Sequence, residues 1–346
     1  MVNRLLFGIL VAFILTAFLC RVFARPAKRL GLVDIPGGRK HHRGEIPVVG
    51  GVAMFFAFAF SAFTLGQIPA THFALIAAMG LLIVVGALDD MHDISPGQKF
   101  LAQVLAALFM TSWAGVQLST LGNLFGFGPI SLYLWAIPFT VVCVLGVINA
   151  VNMIDGVDGL SGVVCLVASG WFALVAFLQD ATAAAWILLT LCGALGGYLV
   201  LNLRLPWRAH AQVFMGDAGS MMLGFALTWF SVELSQRASN PLTPMSAVWI
   251  LAVPLLDMGR VMLSRALAGR SMVEADRGHL HHVLLRAGLS ENRVVAIEGA
   301  AGLACGAVGV AAWRFNVPNY LLFYLFVAVL GIYGWTMLRG RTGEPA

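Results

Sequence analysis

Charge is what this sequence has least of. Asp, Glu, Lys and Arg together make up 11% of its 346 residues, against roughly 25% in a soluble domain. Hydrophobic residues reach 60% and the mean hydropathy is +0.89. A chain this apolar cannot cover itself for water, which excludes a soluble enzyme and assigns it to a bilayer. Cysteine excludes two further classes. Cys20, Cys143, Cys165, Cys192 and Cys305 all fall in apolar stretches, none at metal-ligand spacing or in a loop suited to a disulfide. No internal repeat is visible, and no soluble domain longer than a loop. The alternating ten-residue segments of a membrane β-barrel are missing as well.

What is present is a series of long apolar runs. A crossing needs about 20 largely apolar residues, and the chain reads as an all-α integral membrane protein of about eleven transmembrane helices. They lie near 4–24, 48–65, 72–88, 99–114, 131–149, 161–178, 183–201, 216–233, 244–263, 293–313 and 318–338. The small-residue site at Phe23-Ala24 is weak for cleavage, and ten runs follow it. The first run is therefore read as an uncleaved helix. Residues 1–346 form a single polytopic domain, with polar loops near 25–47, 89–98, 150–160, 202–215 and 264–292.

All Lys and Arg except Arg4, Arg237 and Arg314 lie in or beside loops that follow odd-numbered helices, or in the C-terminal tail. By the positive-inside rule those loops face the cytoplasm. The N-terminus is then periplasmic and the C-terminus cytoplasmic. Every histidine but His72 falls on the same side, with most carboxylates; Asp180 and Glu233 fall opposite, and Glu298 within a helix. Solvation accounts for charge in a loop but not for this one-sidedness. The cytoplasmic face is the working face, and its basic loops suit anionic lipid headgroups or an anionic substrate.

Four constellations lie on that face. In Gly86-Ala87-Leu88-Asp89-Asp90-Met91-His92-Asp93 three carboxylates crowd one helical end. Such crowding raises each pKa unless a cation neutralises it, and an oxygen-rich cluster suits Mg²⁺. A merely solvated helix end needs no such crowding, and a helix C-terminus disfavours anions. Lys99 follows, placed to hold a phosphate or simply to extend to the interface. In Asn149-Ala150-Val151-Asn152-Met153-Ile154-Asp155-Gly156-Val157-Asp158-Gly159-Leu160 a polar group recurs every third residue. On a helix this spacing keeps Asn149, Asn152, Asp155 and Asp158 on roughly one side, fit to coordinate metal or bind a nucleoside.

The third constellation, Phe214-Met215-Gly216-Asp217-Ala218-Gly219-Ser220, opens a helix. Asp and Ser there are ordinary capping residues, yet the glycines permit close approach of a ligand. With the other two clusters, Asp217 completes a metal site. The fourth, Asp276-Arg277-Gly278-His279-Leu280-His281-His282, lies among Arg265, Arg270 and Arg286. Without cysteines it is a poor zinc site and a better grip on an anion such as a pyrophosphate. The first loop adds Asp34, Arg39-Lys40-His41-His42-Arg43 and Ile46-Pro47-Val48-Val49-Gly50-Gly51, whose basic residues the positive-inside rule alone explains.

In this order the four segments resemble the polyprenyl-phosphate N-acetylhexosamine-1-phosphate transferase family, over about Asp34 to Leu289. Each motif alone is weak. The ordered set Leu-Asp-Asp, Asn-x-x-Asp-Gly-x-Asp-Gly-Leu, Phe-Met-Gly-Asp-x-Gly-Ser and His-x-His-His is specific. Within the family the chain is most similar to the bacterial branch that starts O-antigen and related glycans. The branch that transfers phospho-MurNAc-pentapeptide typically carries three consecutive histidines, and Pro-Thr-Met-Gly-Gly where this chain has Pro47-Val48-Val49-Gly50-Gly51.

The resemblance implies a multi-pass enzyme of the bacterial inner membrane that uses UDP-GlcNAc and undecaprenyl phosphate, with Mg²⁺ or Mn²⁺ as cofactor. Membrane lipid would surround it, no nucleic acid is involved, and a homodimer is compatible with it. Asp217 would ligand the metal, with Asp90 beside it. Asp89 and Asp90 would lie by the lipid phosphate, one of them deprotonating it. Asn149, Asn152, Asp155, Asp158 and Phe214 would line the uridine or diphosphate pocket. Arg277, His279, His281 and His282 would contact the UDP-sugar, with Lys99 near the phosphates. Transfer could be direct or pass through a phosphosugar on an Asp.

Two other classes fit less well. An ion-coupled transporter should carry polar groups along a whole path, whereas mid-helix charge is nearly confined to Asp257 and Glu298. Inverted-repeat symmetry is also not apparent. A non-catalytic scaffold would not call for three Asp clusters and a His cluster on one face.

Overall fold

The computed structural model describes residues 2–34, 44–65, 68–267, 269 and 278–341. Thirteen helices follow in chain order among them: α1 Val2–Leu30, α2 Gly50–Leu65, α3 Ala70–His92, α4 Pro96–Leu108, α5 Ala136–Met153, α6 Leu160–Leu178, α7 Thr182–Asn202, α8 Gly216–Ser235, α9 Pro244–Ile250, α10 Ala252–Leu267, α11 Leu280–Arg286, α12 Glu291–Arg314 and α13 Asn319–Arg341. The one sheet among the described residues is an antiparallel ribbon of two residues per strand, β1 Val33–Asp34 against β2 Ile46–Pro47. The expected all-α membrane protein is the fold observed.

Seven of the described helices are long and apolar enough to cross a membrane. The count reaches eight if α9 and α10, bent by 87° at their junction, form one broken span. The expected eleven exceeds this because α2 is only 16 residues long and α4 gives way after 13 to a π turn, Phe109–Trp113. α8 falls outside the seven for a different reason. It is rich in Gly, Ser and Thr, and nearly every residue from Ala218 to Ser235 is buried. A helix enclosed by other helices has no lipid-facing surface to keep apolar.

α8 is the axis on which the site is built. With lipid outside, helix association rests on close van der Waals packing and small residues rather than on a hydrophobic drive. Gly224 of α8 meets the α5 backbone so closely that an added Cβ would lie 2.7 Å from the Ile148 Cα. Gly86 of α3 and Gly51 of α2 abut the backbone at Ala218 and Gly219 in the same way. α3 and α2 therefore converge on the first turn of α8, and α5 packs about two turns further along it.

α3 and α8 run antiparallel. Asp90 reaches the start of α8, while at the opposite end His72 Nε2 lies 3.2 Å from Glu233 Oε2. α4 begins at a capping box, in which the Ser95 hydroxyl accepts from the Gln98 N–H and the Gln98 side chain reaches back, with Pro96 in the first turn. That sharp restart returns the chain beside α3 and brings Lys99 to the same place.

Candidate active site

The converging ends enclose a cavity of about 680 Å³. Its walls include Asp34, Asp89, Asp90, Asn152, Asp155, Asp158, Asn202, Arg204, Phe214, Asp217, His282 and Glu291. Residues from all four sequence constellations meet here.

At its base is an ionic centre. Lys99 Nζ stands 2.5 Å from Asp89 Oδ2 and 3.0 Å from Asp217 Oδ2. Asn152 Nδ2 donates to Asp217 Oδ1 and to Ser220 Oγ, both at 2.9 Å. Two half-buried or buried carboxylates this close would repel strongly, and the ammonium between them offsets that. Asp90 is turned differently. Its Oδ1 accepts the Asp217 N–H at 3.0 Å and its Oδ2 the Ala218 N–H at 3.3 Å. It thus satisfies two of the donors a helix start leaves unpaired, at the end where the helix dipole favours an anion.

Gly216 makes this possible. Its φ is +72°, and a Cβ there would overlap Asp90 Oδ2 and the Val48 side chain. The turn is held from the other side by Ile46–Gly51. Phe214 N–H donates to Pro47 O at 2.9 Å, Gly50 N–H to Phe214 O at 2.9 Å and Gly51 N–H to Met215 O at 3.1 Å. The Gly50-Gly51 pair is thus part of the mounting for the Asp217 motif.

The row from Asn149 to Asp158 is not one helical face, as its spacing suggested. α5 ends at Met153 and α6 starts at Leu160, with turns between. Asn149 does not line the cavity; its Nδ2 donates to Leu145 O at 2.7 Å and Gln103 Oε1 at 3.1 Å. Asp155 and Asp158 reach the cavity from the turns, where two glycines let the chain fold sharply. Asp155 Oδ1 accepts from Ser161 Oγ at 2.5 Å. Burial, more than the neighbouring Asp217 and Asp158, pushes the Asp155 carboxyl up to about 6 against the Ser161 bond. Asp158 Oδ2 accepts from Arg204 Nε at 2.7 Å and from Ala211 N–H at 3.3 Å.

The histidines separate into three situations. His282 lines the cavity. His281 is 1% exposed and presses on Gly156, where an added Cβ would meet its Nε2 at 2.7 Å. Burial first, and His282 beside it, push its pKa down to about 3, so it is neutral. His279 is buried away from the cavity, with Nδ1 2.6 Å from Asp257 Oδ2. Arg277 lies outside the described residues.

Asn202, Arg204 and Glu291 were not anticipated. Asn202 Oδ1 accepts from Gly159 N–H at 2.6 Å and its Nδ2 donates to Val213 O at 2.9 Å. It ties the Asp158 turn to the segment before Asp217. Arg204 bridges Asp158 and Glu291, its terminal nitrogen 2.6 Å from Glu291 Oε2. The available signal was a polar residue closing an apolar run, Asn202, followed by a lone Arg.

Among the described residues, no group of three or more His, Cys, Asp or Glu is poised around one metal position. The residues that could hold a divalent ion are Asp89 and Asp217, which already share one cation, the Lys99 ammonium. Asp89 Oδ1 is buried without a partner. Mg²⁺ commonly takes only one or two carboxylates and completes its shell with waters and substrate phosphates. This donor set fits that habit and would be too small for an all-protein cage. Asp90, also expected at the metal, has both oxygens engaged by backbone N–H groups.

Residues 72–235 match the family described as Glycosyl transferase family 4. Beyond that stretch the chain is similar to proteins named undecaprenyl-phosphate alpha-N-acetylglucosaminyl 1-phosphate transferase. One from Yersinia pestis is 35% identical over 321 residues, 92% of this chain and 87% of that one. Another from Escherichia coli is 34% identical over 338 residues, 95% and 90% of the two chains. A third, from Pasteurella multocida, is 34% identical over 341 residues, 97% and 94%.

Proposed function

From a chain that belongs to glycosyl transferase family 4, we propose that it transfers N-acetylglucosamine 1-phosphate from UDP-GlcNAc to undecaprenyl phosphate. The observation that carries this reading is the ionic centre in which Lys99 holds Asp89 and Asp217, both on the wall of one cavity with Asn152. It stands within a chain whose relatives, named for that transfer, match it over 92% and 97% of its length.

In the reaction a phosphate oxygen of the lipid attacks the β-phosphorus of the UDP-sugar. The bond from β-phosphorus to the bridging oxygen breaks, and UMP leaves with that oxygen. Phosphoryl transfer of this kind depends on positioning and charge neutralisation more than on a protein nucleophile, and the reading is direct transfer without a phosphosugar on the enzyme. Mg²⁺, held by Asp89 and Asp217, would neutralise charge on the diphosphate; Mn²⁺ has the same oxygen preference. Lys99 brings a second positive charge to the phosphates. Asp89, on the cavity wall, is the group to take a proton from the acceptor phosphate, while Asp90 holds α8 and through it Asp217. Asn152, Asp155, Asp158 and Phe214 face the nucleotide, and His282 the diphosphate.

The membrane reading follows from the same elements. Eleven crossings are α1 to α8 in turn, α9 with α10 as one bent crossing, α12 and α13. In this reading the cavity opens to the cytoplasmic side of the bacterial inner membrane and the N-terminus is periplasmic, which the basic loops support. The product would be the first lipid-linked sugar of an O-antigen or a related surface glycan.

The test is UMP release by the purified protein with undecaprenyl phosphate, Mg²⁺ and a panel of UDP-sugars. Release with UDP-GlcNAc, abolished by EDTA, is expected. Release only with UDP-MurNAc-pentapeptide would move the chain to the peptidoglycan branch, and none with any sugar would defeat the reading.

A further inference from the structure

Asp257 is 2% exposed and lies one and a half turns into α10, past the 87° bend that separates this helix from α9. An unpartnered carboxylate is costly to bury, and this one is fully partnered from two distant elements. Its Oδ2 is 2.6 Å from His279 Nδ1. Its Oδ1 accepts the Leu280 N–H at 2.8 Å and the Tyr333 hydroxyl of α13 at 3.2 Å. Arg260, one turn further on, stands 5.5 Å over the Tyr333 ring. None of these groups lines the cavity.

His279 and Leu280 are the residue before α11 and its first residue. Two contacts at that point fix both where the helix starts and how it is rotated. His282, two residues on, faces the cavity. A slip of one residue would turn it by about 100°, away from its present direction into the cavity. The bend at Leu251 is what brings the Asp257 carboxylate under this helix start.

We infer that Asp257 is a positioning residue: it clamps His279 and the Leu280 N–H, and so aims His282 at the sugar nucleotide. His279 then serves as the anchor of the His-x-His-His motif rather than as a substrate contact. The three histidines have three jobs, namely anchor, packing against Gly156, and contact.

The kinetic arm of the test rests on the transfer reaction proposed above; a second arm does not. Full-length Asp257→Ala, Asp257→Asn, His282→Ala and the double variant Asp257→Ala/His282→Ala are compared in detergent. In Asp257→Ala the KM for UDP-GlcNAc rises about tenfold or more, while that for undecaprenyl phosphate stays within about twofold, since only one substrate meets His282. Asp257→Asn retains most activity, its amide still able to accept from Leu280 and to donate to the other tautomer of His279. The double variant is no worse than His282→Ala, because residues acting as a unit are not additive. The second arm follows carbethoxylation of each histidine by diethylpyrocarbonate with peptide mapping. His279 is protected in the native chain and becomes as reactive as His282 in Asp257→Ala.

Unchanged KM values, multiplicative losses in the double variant, or a His279 equally protected without the carboxylate would each overturn the proposal. A native chain that releases no UMP would count against the transfer reaction, and the carbethoxylation arm would still decide the role of Asp257.

Discussion

Asp90 and Asp217, 127 positions apart, are joined through the main chain: the Asp90 carboxylate accepts the Asp217 N–H at 3.0 Å. Its second oxygen takes the next N–H, that of Ala218. Removing such a cap costs on the order of 1 kcal/mol, and up to about 2 with the dipole included. Asp90→Ala should lower unfolding stability by this amount and reduce UMP release at least tenfold by letting Asp217 shift. Asp90→Asn, which keeps one acceptor, should lose roughly half as much stability. Equal thermal midpoints for native chain and Asp90→Ala would show that the cap is not holding α8.

Lys99 answers a different need. It neutralises Asp89 and Asp217 together, so Lys99→Ala leaves two close carboxylates without a cation. The expected outcome is a rate lower by roughly a hundredfold, from the loss of one well-placed charge at a phosphoryl-transfer site. The Mg²⁺ concentration for half-maximal rate should fall at the same time, because the ammonium no longer competes for the carboxylates. A titration of UMP release against Mg²⁺ reads both. A higher Mg²⁺ requirement would mean that Lys99 does not compete with the ion.

How much of this was legible in the chain depends on what each residue does. Asp89, Asp90, Asp217 and His282 stood out because acids and histidines are scarce in apolar sequence and here cluster at helix ends. The three-residue spacing from Asn149 to Asp158 misled, since periodicity cannot show that α5 stops at Met153. Asn149 then points to Gln103 instead of the cavity. Arg204 was missed because its partners, Asp158 and Glu291, lie 46 positions before it and 87 after it. Gly50 and Gly51 act through backbone contacts with Phe214 and Met215, which no local pattern encodes. The anchoring role of His279 needed Asp257, brought near only by the bend between α9 and α10.

Asp155 gives a pH signature. Burial raises its carboxyl to about 6, above the ordinary value near 3.9 of an unfolded chain. Between these values the folded state holds the extra proton, so stability falls as pH rises through that window and levels off above it. Asp155→Asn is neutral throughout and should remove the slope. Its stability relative to the native chain should grow by up to about 2 kcal/mol between pH 4 and pH 7. Thermal unfolding across that range checks this, and parallel curves would show that Asp155 is solvated. Activity should drop in the same variant, since the carboxylate lines the cavity.

Gly216 is the point where the Asp217 turn has least tolerance. A side chain would be strained at φ +72° and would overlap Asp90 and Val48. Gly216→Ala should cost about 2 kcal/mol or more, beyond the ordinary penalty for a left-handed non-glycine residue. Gly128, with φ +116° but nothing within reach of an added Cβ, is the control. There Ala should meet backbone strain alone, and activity should persist. Similar losses at both positions would indicate that the overlap relaxes freely.

Arg204 joins the turn before α6 to the start of α12 through two carboxylates, Asp158 at 2.7 Å and Glu291 at 2.6 Å. The pair with Glu291 is about a quarter exposed on each side, intermediate between a surface bridge worth little and a buried one that is costly to break. A double-mutant cycle of Arg204→Ala and Glu291→Ala should therefore give a coupling of about 1 kcal/mol in unfolding stability. Arg204→Ala alone should cost more than Glu291→Ala. The first leaves two carboxylates facing each other across the cavity wall, whereas the second leaves Arg204 with Asp158. If the order were reversed, Glu291 would be held by something other than Arg204, and the strut between α7 and α12 would not be what shapes that wall.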